Sequence, residues 1–401
     1  MLDFRSWNVI QPPTSNFQFP TRKIELSALD LLKQHYHDRD RAAREWQAQG
    51  GQVIGYLGAD VPEELILAAG FFPLRITGDP MSATPHADQY VPRNFNPLAR
   101  SILNRLLDDT YAFLDHLVIA NSAEAFVRVF VYVREIKRIE PHRLIPDFYF
   151  FEFLHTRFHK NAQYNRDRVR DLKTQLESWS GKPIRDDALR DAIRVCNENR
   201  KLLNQVAQLR IESRISGADA LAIVGSSMFI QKSEHTPLLR ELLNRANQLA
   251  PRPGARLFVE GSQLDDSWFY EIVEACGATI VAEDSDWGNR AFDMLVDETI
   301  APLDAITDRH FFKAPSPSKS TVQQRVEYCA RQAVNAKADG AIFFLLAGED
   351  PPAWDYPEQK RALEARGIRT LCLDHQPYAP GNLAELHARI KTFVHSLGNS
   401  Q

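Results

Sequence analysis

Short apolar runs alternate with amphipathic stretches along most of the chain. The runs "VIGYL" (53–57), "LDHLVIA" (114–120) and "PDFYFFEF" (146–153) have the length of buried strands. The stretches "ELILAAG", "LARSILNRLL" (98–107) and "SAEAFVRVFVYVREI" (122–136) repeat apolar residues at helical spacing. Strands and helices that alternate at this spacing predict parallel strands joined by helical crossovers.

The same alternation returns near the C-terminus. "ARLFVEGS", "ATIVAED", "DGAIFFLLAG" and "IRTLCLD" are predicted strands. They are separated by helical patterns, one of them "PEQKRALEARG" (357–367), and by the loop "KAPSPSKS". Between the two units the pattern is helical only, with two long helices joined by "GKPIR". We therefore expect an α/β protein with two Rossmann-like or flavodoxin-like parallel-sheet domains and a helical bridging segment. The predicted divisions are an N-terminal helical extension at 1–50 with one helix over 28–50, a first domain at 51–160, the bridging segment at 161–250 and a second domain at 251–401.

Ligands of open parallel sheets bind beyond the carboxyl ends of the strands. The turns at 58–62, 120–124, 260–263, 283–290 and 347–355 are therefore the candidate site positions. In the first of these turns, Asp60 is predicted to cap the next helix, with Glu63 as the second half of a capping box. The start of that helix also offers backbone donors to a carbonyl or an anion.

Composition excludes several classes of function. The chain has 401 residues, 44% of them hydrophobic and 25% charged, with a net charge of −4. A chain this long exceeds one ordinary core, and its charge gives no basic surface for nucleic acid. No apolar run is long enough for a membrane span. "MLDFRSWNVIQPPTSNF" is unlike a secretory signal, so the expected location is the cytoplasm.

Cysteine and histidine spacing gives no metal signature. Cys196, Cys276, Cys329 and Cys372 are far apart and are expected to be buried and reduced. The pair His155 and His159 is four residues apart in "FLHTRFHKN", which lacks the glutamate of a zinc-protease motif. A surface pair on one helix is the expectation there, and no residue is predicted to bind a metal.

Five segments carry a family resemblance, in order along the chain. They are "GYLGADVPEELILAAGFFPLRITG", "NPLARSIL", "LDHLVIANSAEAFVRVF", "LFVEGSQLDDSWFYEIVEACGATIVAEDSDWGNR" and "KADGAIFFLLAGEDPPAWDYPEQKRALEARGIRTLCLD". Across about residues 50–395 the chain resembles the 2-hydroxyacyl-CoA dehydratase and benzoyl-CoA reductase subunit family. The resemblance implies a [4Fe–4S] cluster held by cysteines of both domains, a cleft for an acyl-CoA thioester, and an ATP-hydrolysing activator that injects one electron.

The cysteines that the resemblance implies are replaced in this sequence. Their positions read Asn96, Ser122 or Ala123, Asp286 and Glu349. Iron–sulfur clusters require soft thiolate ligands, which these side chains are not. We therefore expect no cluster in this chain, although a homologous partner can carry one. Helix capping by Asn96 and Ser122, and solvated loop positions for Asp286 and Glu349, are the structural alternatives.

The cleft that the resemblance implies, now without its cysteines, contains the candidate catalytic and binding residues. Glu63, Asp286 and Glu349 are the candidate acid–base residues, and an oxygen-ligated cation is the other possibility at the acidic positions. The candidates for substrate binding are Glu64, Arg75, Asn96, Ser122 and Arg290.

Three functions fit these expectations. The favoured one is a subunit of an acyl-CoA dehydratase or reductase complex that shapes the interface and part of the acyl-CoA cleft, with a cluster-bearing homologue and an activator as partners. The alternatives are a stand-alone, non-redox acyl-CoA lyase or hydratase that uses carboxylates, and a non-catalytic regulatory homologue.

Overall fold

The computed structural model describes residues 27–92 and 94–398. These residues contain eight strands, at Val53–Leu57 (β1), Phe72–Arg75 (β2), His116–Ala120 (β3), Asp147–Phe151 (β4), Ala255–Gly261 (β5), Ala278–Glu283 (β6), Gly340–Leu346 (β7) and Arg369–Gln376 (β8). They form two four-stranded sheets with the orders β2-β1-β3-β4 and β6-β5-β7-β8. Every strand pair is parallel, so the predicted α/β fold with two parallel sheets is confirmed.

Fourteen helices of the described residues surround the two sheets. They are Ala28–His37 (α1), Arg41–Ala48 (α2), Glu63–Ala68 (α3), Pro97–Leu107 (α4), Glu124–Ile139 (α5), His159–Ser180 (α6), Asp186–Ile211 (α7), Gly217–Ser226 (α8), Lys232–Asn244 (α9), Trp268–Ala275 (α10), Pro302–Phe312 (α11), Val322–Asn335 (α12), Asp350–Glu364 (α13) and Leu383–Gly398 (α14).

One apolar core runs between the two sheets. It contains Leu57 at the end of β1 and Leu257 in β5, and the largely buried helix α8 contributes Leu221 and Ile223 to it. Helix α8 contacts α1, α7 and α10, and it also contacts β6. The helical region between the sheets therefore packs against the second sheet and joins the two hydrophobic interiors.

Several local predictions differ from the structure. The single helix expected over 28–50 is two helices, because the backbone leaves helical geometry at Asp38, and Arg39 in this break reaches Asp265 at 2.5 Å. Helix α11 was not predicted at all, and Pro302 supplies its first turn. The helix expected to begin at Pro357 instead begins at Asp350 and contains that proline.

Four further expectations concern the N-terminus, the domain boundaries, membrane spans and the cysteines. The signal-sequence prediction for 1–17 lies outside the described residues, and the domain divisions stay predictions. No helix of the described part is long and apolar enough to cross a membrane. All four cysteines are free thiols, three of them buried and Cys372 half-buried.

Candidate functional site

A cavity of about 70 Å³ lies where the first sheet meets the region after β6. Its walls come from the ends of β1 and β2, the start of α3, one position of α7, the α8–α9 connection, the segment 286–291 and the end of α11. Four predicted site residues, Glu63, Arg75, Asp286 and Arg290, line this one cavity. The turns at 58–62 and 283–290 thus face the same space, as their positions beyond parallel strands indicated.

A layer of buried ion pairs forms one side of the cavity. Arg200 on α7 reaches Glu63 at 3.2 Å and Glu64 at 2.6 Å, and Lys232 reaches the other oxygen of Glu63 at 2.8 Å. Burial opposes ionisation of Glu63, but Lys232 and Arg200 outweigh it and lower its pKa. Glu63 is therefore an ionised partner of two cations. Glu64 lies behind it, fully buried against Arg200.

A second buried group lies at the turn after β1. The carboxylate of Asp60 is 2.9 Å from Nε2 of His155 and 3.9 Å from Nζ of Lys313, which also donates to the carbonyl of Ala59 at 2.7 Å. Burial would raise the pKa of Asp60, but His155 and Lys313 lower it. Burial lowers the pKa of Lys313 to about 8, although Asp60 opposes that shift.

This arrangement corrects two predictions. Asp60 does not cap α3, because its carboxylate is committed to His155 and the cap position is Pro62, without a side-chain hydrogen bond. His155 is not part of a surface pair. It is buried before α6 begins, whereas His159 is the exposed first residue of that helix.

Arg290 is held by a buried carboxylate. Its guanidinium pairs with Asp284, which overcomes the effect of burial and raises the arginine pKa. The nearby Gly288 packs so closely against Glu283 that a Cβ there would overlap the glutamate carboxylate. This glycine lets the turn that carries Asp286 and Arg290 pass over the buried pair of Glu283 and Arg210.

Asn96 and Glu349 meet at a different place, around Tyr378. The Tyr378 hydroxyl donates to Oε1 of Glu349, and the Asn96 side chain lies beside the same hydroxyl. Burial and the Glu349 carboxylate raise the pKa of Tyr378. The amide oxygen of Asn96 also accepts from the backbone of Ala99 at 3.0 Å, so the predicted helix cap is confirmed.

Ser122 lies at the first sheet's switch point, between the ends of β1 and β3. Its hydroxyl accepts from the backbone of Asp60 at 3.3 Å. The expectation that it caps α5 is wrong, because Ala123 occupies the cap position. Gly58 has φ +99°, and a Cβ there would lie 2.6 Å from the Ser122 hydroxyl, so glycine is required for this close approach.

Sequence reasoning missed the cations contributed by distant helices. Arg200, Lys232, Arg309 and Lys313 all line the cavity. Helical spacing could have indicated the position of Arg200, because it lies on the same face of α7 as Cys196 and Leu203, which are both buried. Among the described residues, no group of three or more His, Cys, Asp or Glu side chains is placed to hold a metal ion.

Comparisons with known proteins agree with the resemblance. Residues 59–397 match the family model described as 2-hydroxyglutaryl-CoA dehydratase, D-component. The chain is 26% identical over 343 residues to the (R)-phenyllactyl-CoA dehydratase beta subunit of Clostridium sporogenes, covering 81% of this chain and 86% of that protein.

Two further relatives extend the comparison. A benzoyl-CoA reductase subunit of Thauera aromatica is 26% identical, with 80% of this chain and 86% of that protein covered. The lactoyl-CoA dehydratase beta subunit of Anaerotignum propionicum is 22% identical, over 92% and 98% of the two chains. Because the family model spans most of the sequence, this chain belongs to the 2-hydroxyglutaryl-CoA dehydratase D-component family.

Proposed function

We propose that this protein is a subunit of a 2-hydroxyacyl-CoA dehydratase or benzoyl-CoA reductase-type complex that lacks its own [4Fe–4S] cluster. It contributes the subunit interface and part of the acyl-CoA cleft. The relatives named above are subunits of such dehydratases and of a benzoyl-CoA reductase. A homologous cluster-bearing partner, served by an ATP-dependent activator, would supply the redox chemistry.

The observation that carries the proposal is the cluster of Asn96, Tyr378 and Glu349, in which both replaced side chains have protein partners. Two positions at which the resemblance implies cysteines hold an amide and a carboxylate instead: Asn96 accepts from the backbone of Ala99, and Glu349 accepts from the Tyr378 hydroxyl beside it. Iron–sulfur clusters bind soft thiolates, and these oxygen and nitrogen groups do not fit that ligand set. The hydrogen bonds give the replaced side chains a structural use in place of ligation.

The other two replaced positions also have protein partners. Asp286 accepts a hydrogen bond from Arg75 through its backbone carbonyl at 3.3 Å, and the Ser122 hydroxyl supports the turn at Asp60. The thiols of Cys196 and Cys329 are buried, and burial raises their pKa values, which opposes the thiolate form that a cluster requires.

A stand-alone enzyme using carboxylates is the second candidate, because Glu63 and Asp286 line one cavity. The lowered pKa of Glu63 and its contacts with Lys232 and Arg200 argue against its use as a general acid.

Purification without oxygen tests the proposal. The chain is produced alone and together with a homologous subunit that retains the family cysteines, and iron, sulfide and visible absorption are measured. We expect a colourless protein alone, with iron only in the complex and acyl-CoA turnover only when the activator is added. A brown single chain with stoichiometric iron and sulfide would disprove the absence of a cluster. Turnover by the iron-free single chain would instead favour the stand-alone enzyme.

A further inference from the structure

The cavity between the two sheets is lined by more positive than negative side chains. Two carboxylates, Glu63 and Asp286, line it. Burial lowers the pKa of His310 well below its usual range, so this histidine is neutral and adds no charge. The lining cations are Arg75, Arg200, Lys232, Arg290, Arg309 and Lys313.

Protein carboxylates account for four of these six cations. Arg200 pairs with Glu63 and Glu64, and Lys232 pairs with Glu63. Arg290 pairs with Asp284, and Lys313 lies 3.9 Å from Asp60. These pairings use Glu63 in the cavity wall and three buried acids behind it, and the lining carboxylate of Asp286 also acts on Arg290 and Lys313.

Among the described residues, no carboxylate lies within ion-pair distance of Arg75 or Arg309, and their direct partners are neutral. Arg309 donates to the carbonyls of Met294 at 2.7 Å and Ala291 at 3.1 Å. Arg75 contacts the Met228 sulfur at 3.2 Å and the carbonyl of Asp286 at 3.3 Å. Its guanidinium carbon also lies 4.2 Å from the ring centre of Trp287.

Both arginines are buried, with 7% of Arg75 and 4% of Arg309 exposed. A buried charge without an opposite charge is unfavourable, so such groups in proteins are normally paired. Burial and the neighbouring Arg200 lower the pKa of Arg309 to about 10, and Glu64 and Glu63 oppose that shift without contacting the guanidinium directly. Arg309 remains protonated at neutral pH, and an anion entering the cavity would supply a counter-charge.

The cavity volume limits the size of this anion. A volume of about 70 Å³ has room for roughly five water-sized groups at about 10–15 Å³ each. That space holds a carboxylate with a short carbon chain and excludes a coenzyme A moiety. Tyr56, Val61 and Met228 add apolar surface beside the arginines, which suits a short carbon chain better than a bare inorganic ion.

We propose that this cavity is a binding site for a small organic carboxylate, with Arg75 and Arg309 as its charge partners. The planar guanidinium group matches a carboxylate through paired N–H donors, which makes arginine the suitable cation for this ligand. The site does not depend on the proposed function, since it requires no cluster and no partner subunit.

Calorimetric titration of the full chain tests the site, with propionate and inorganic phosphate as separate probes at constant ionic strength. We expect propionate to bind with one site per chain and to raise the melting temperature. Arg309→Gln and Arg75→Gln should each weaken binding roughly tenfold to hundredfold, because each removes a charge-assisted contact. Arg309→Lys and Arg75→Lys, which retain the charge, should weaken it less.

Arg128→Gln on the exposed face of α5 is the matched control and should leave binding unchanged, since its guanidinium pairs with Glu124 on the same helix. Circular dichroism confirms that each variant is folded before titration. Absence of propionate binding, or unchanged affinity in folded Arg309→Gln and Arg75→Gln proteins, would overturn the assignment. Tighter binding of phosphate than of propionate would overturn the carboxylate class.

Discussion

Two polar regions of this protein differ in how deeply their charged and polar side chains are buried. The ion-pair layer of Glu63, Glu64, Arg200 and Lys232 lies inside the molecule, where the Glu64 side chain is 0% and the Arg200 side chain 4% exposed. The group formed by Asn96, Tyr378 and Glu349 is half-buried at the edge of the structure. Both regions lie near the carboxyl ends of strands, β1 in the first case and β7 in the second.

The difference in burial decides how each region responds to change. When one partner of a buried ion pair is removed, the remaining charge is still kept away from water and has no opposite charge beside it. The folded state is therefore strongly destabilised. A polar group near the surface is rehydrated when its partner is lost, and the net loss is about that of one hydrogen bond. The inner layer should therefore be intolerant of substitution, and the outer group tolerant.

Glu64→Leu should give the largest loss of stability. It leaves Arg200 with the more distant Glu63 alone, which also serves Lys232, and breaking a buried pair in this way costs about 3–5 kcal/mol. Urea unfolding at neutral pH measures the change in the free energy of unfolding.

Two further variants serve as controls for Glu64→Leu. Glu135→Gln breaks an exposed pair with Arg138 and should change stability very little, because water screens exposed charges. The double variant Glu64→Leu/Arg200→Leu should recover part of the loss, since it removes both buried charges. A single-variant loss no greater than that of Glu135→Gln would mean that the inner layer behaves like a surface pair.

The sequence predicted the strands and the turns but not the inner charges. β1 was located residue by residue, because a short apolar run between turn residues has few other interpretations. Asn96 was recognised as a cap because its side chain bonds the backbone three residues later, a purely local interaction. Local patterns of this kind can be recognised without knowledge of the tertiary structure.

The inner layer depends on contacts between distant parts of the chain. Arg200 lies 137 positions beyond Glu63, and a charged residue is normally expected on an exposed face. Helix α11 was missed for a related reason: Arg309 and His310 are buried, so its polar residues do not mark a solvent face. Only the assembled fold shows that these charges meet.

Lowering the pH should reduce the free energy of unfolding, because His235 on α9 is neutral in the folded protein. This histidine is fully buried beside Lys232. Its Nε2 donates to the carbonyl of Ile223 at 3.0 Å, and burial and Lys232 lower its pKa to about 3. The unfolded chain, with a histidine pKa of about 6.5, binds the proton more readily. The histidine contribution is therefore complete above pH 6.5 and is lost as pH falls towards 3, by at most about 1.4 kcal/mol per pH unit.

His235→Gln isolates this contribution. Unfolding free energies of the two proteins are compared between about pH 7 and pH 4.5, so that the titration of the paired carboxylates, which both proteins share, cancels. The variant should lose less stability over this range than the unaltered protein does. Equal pH slopes would mean that His235 is not the group responsible. His310, which is also kept neutral by burial, contributes in both proteins and cancels in the comparison.

Substitution of Asn96, in the outer region, should cause the smallest loss of stability. Asn96→Ala removes the cap of α4 and the contact with Tyr378, and a lost cap typically costs about 1 kcal/mol. Asn96→Asp keeps a capping oxygen but loses the amide group that lies beside the Tyr378 hydroxyl, so thermal unfolding should place it between Asn96→Ala and the unaltered protein. Because the site is half-buried, water replaces the lost donor at little cost. If Asn96→Ala destabilises as strongly as Glu64→Leu, exposure is not what separates the two regions, and the outer group is an integral part of the core.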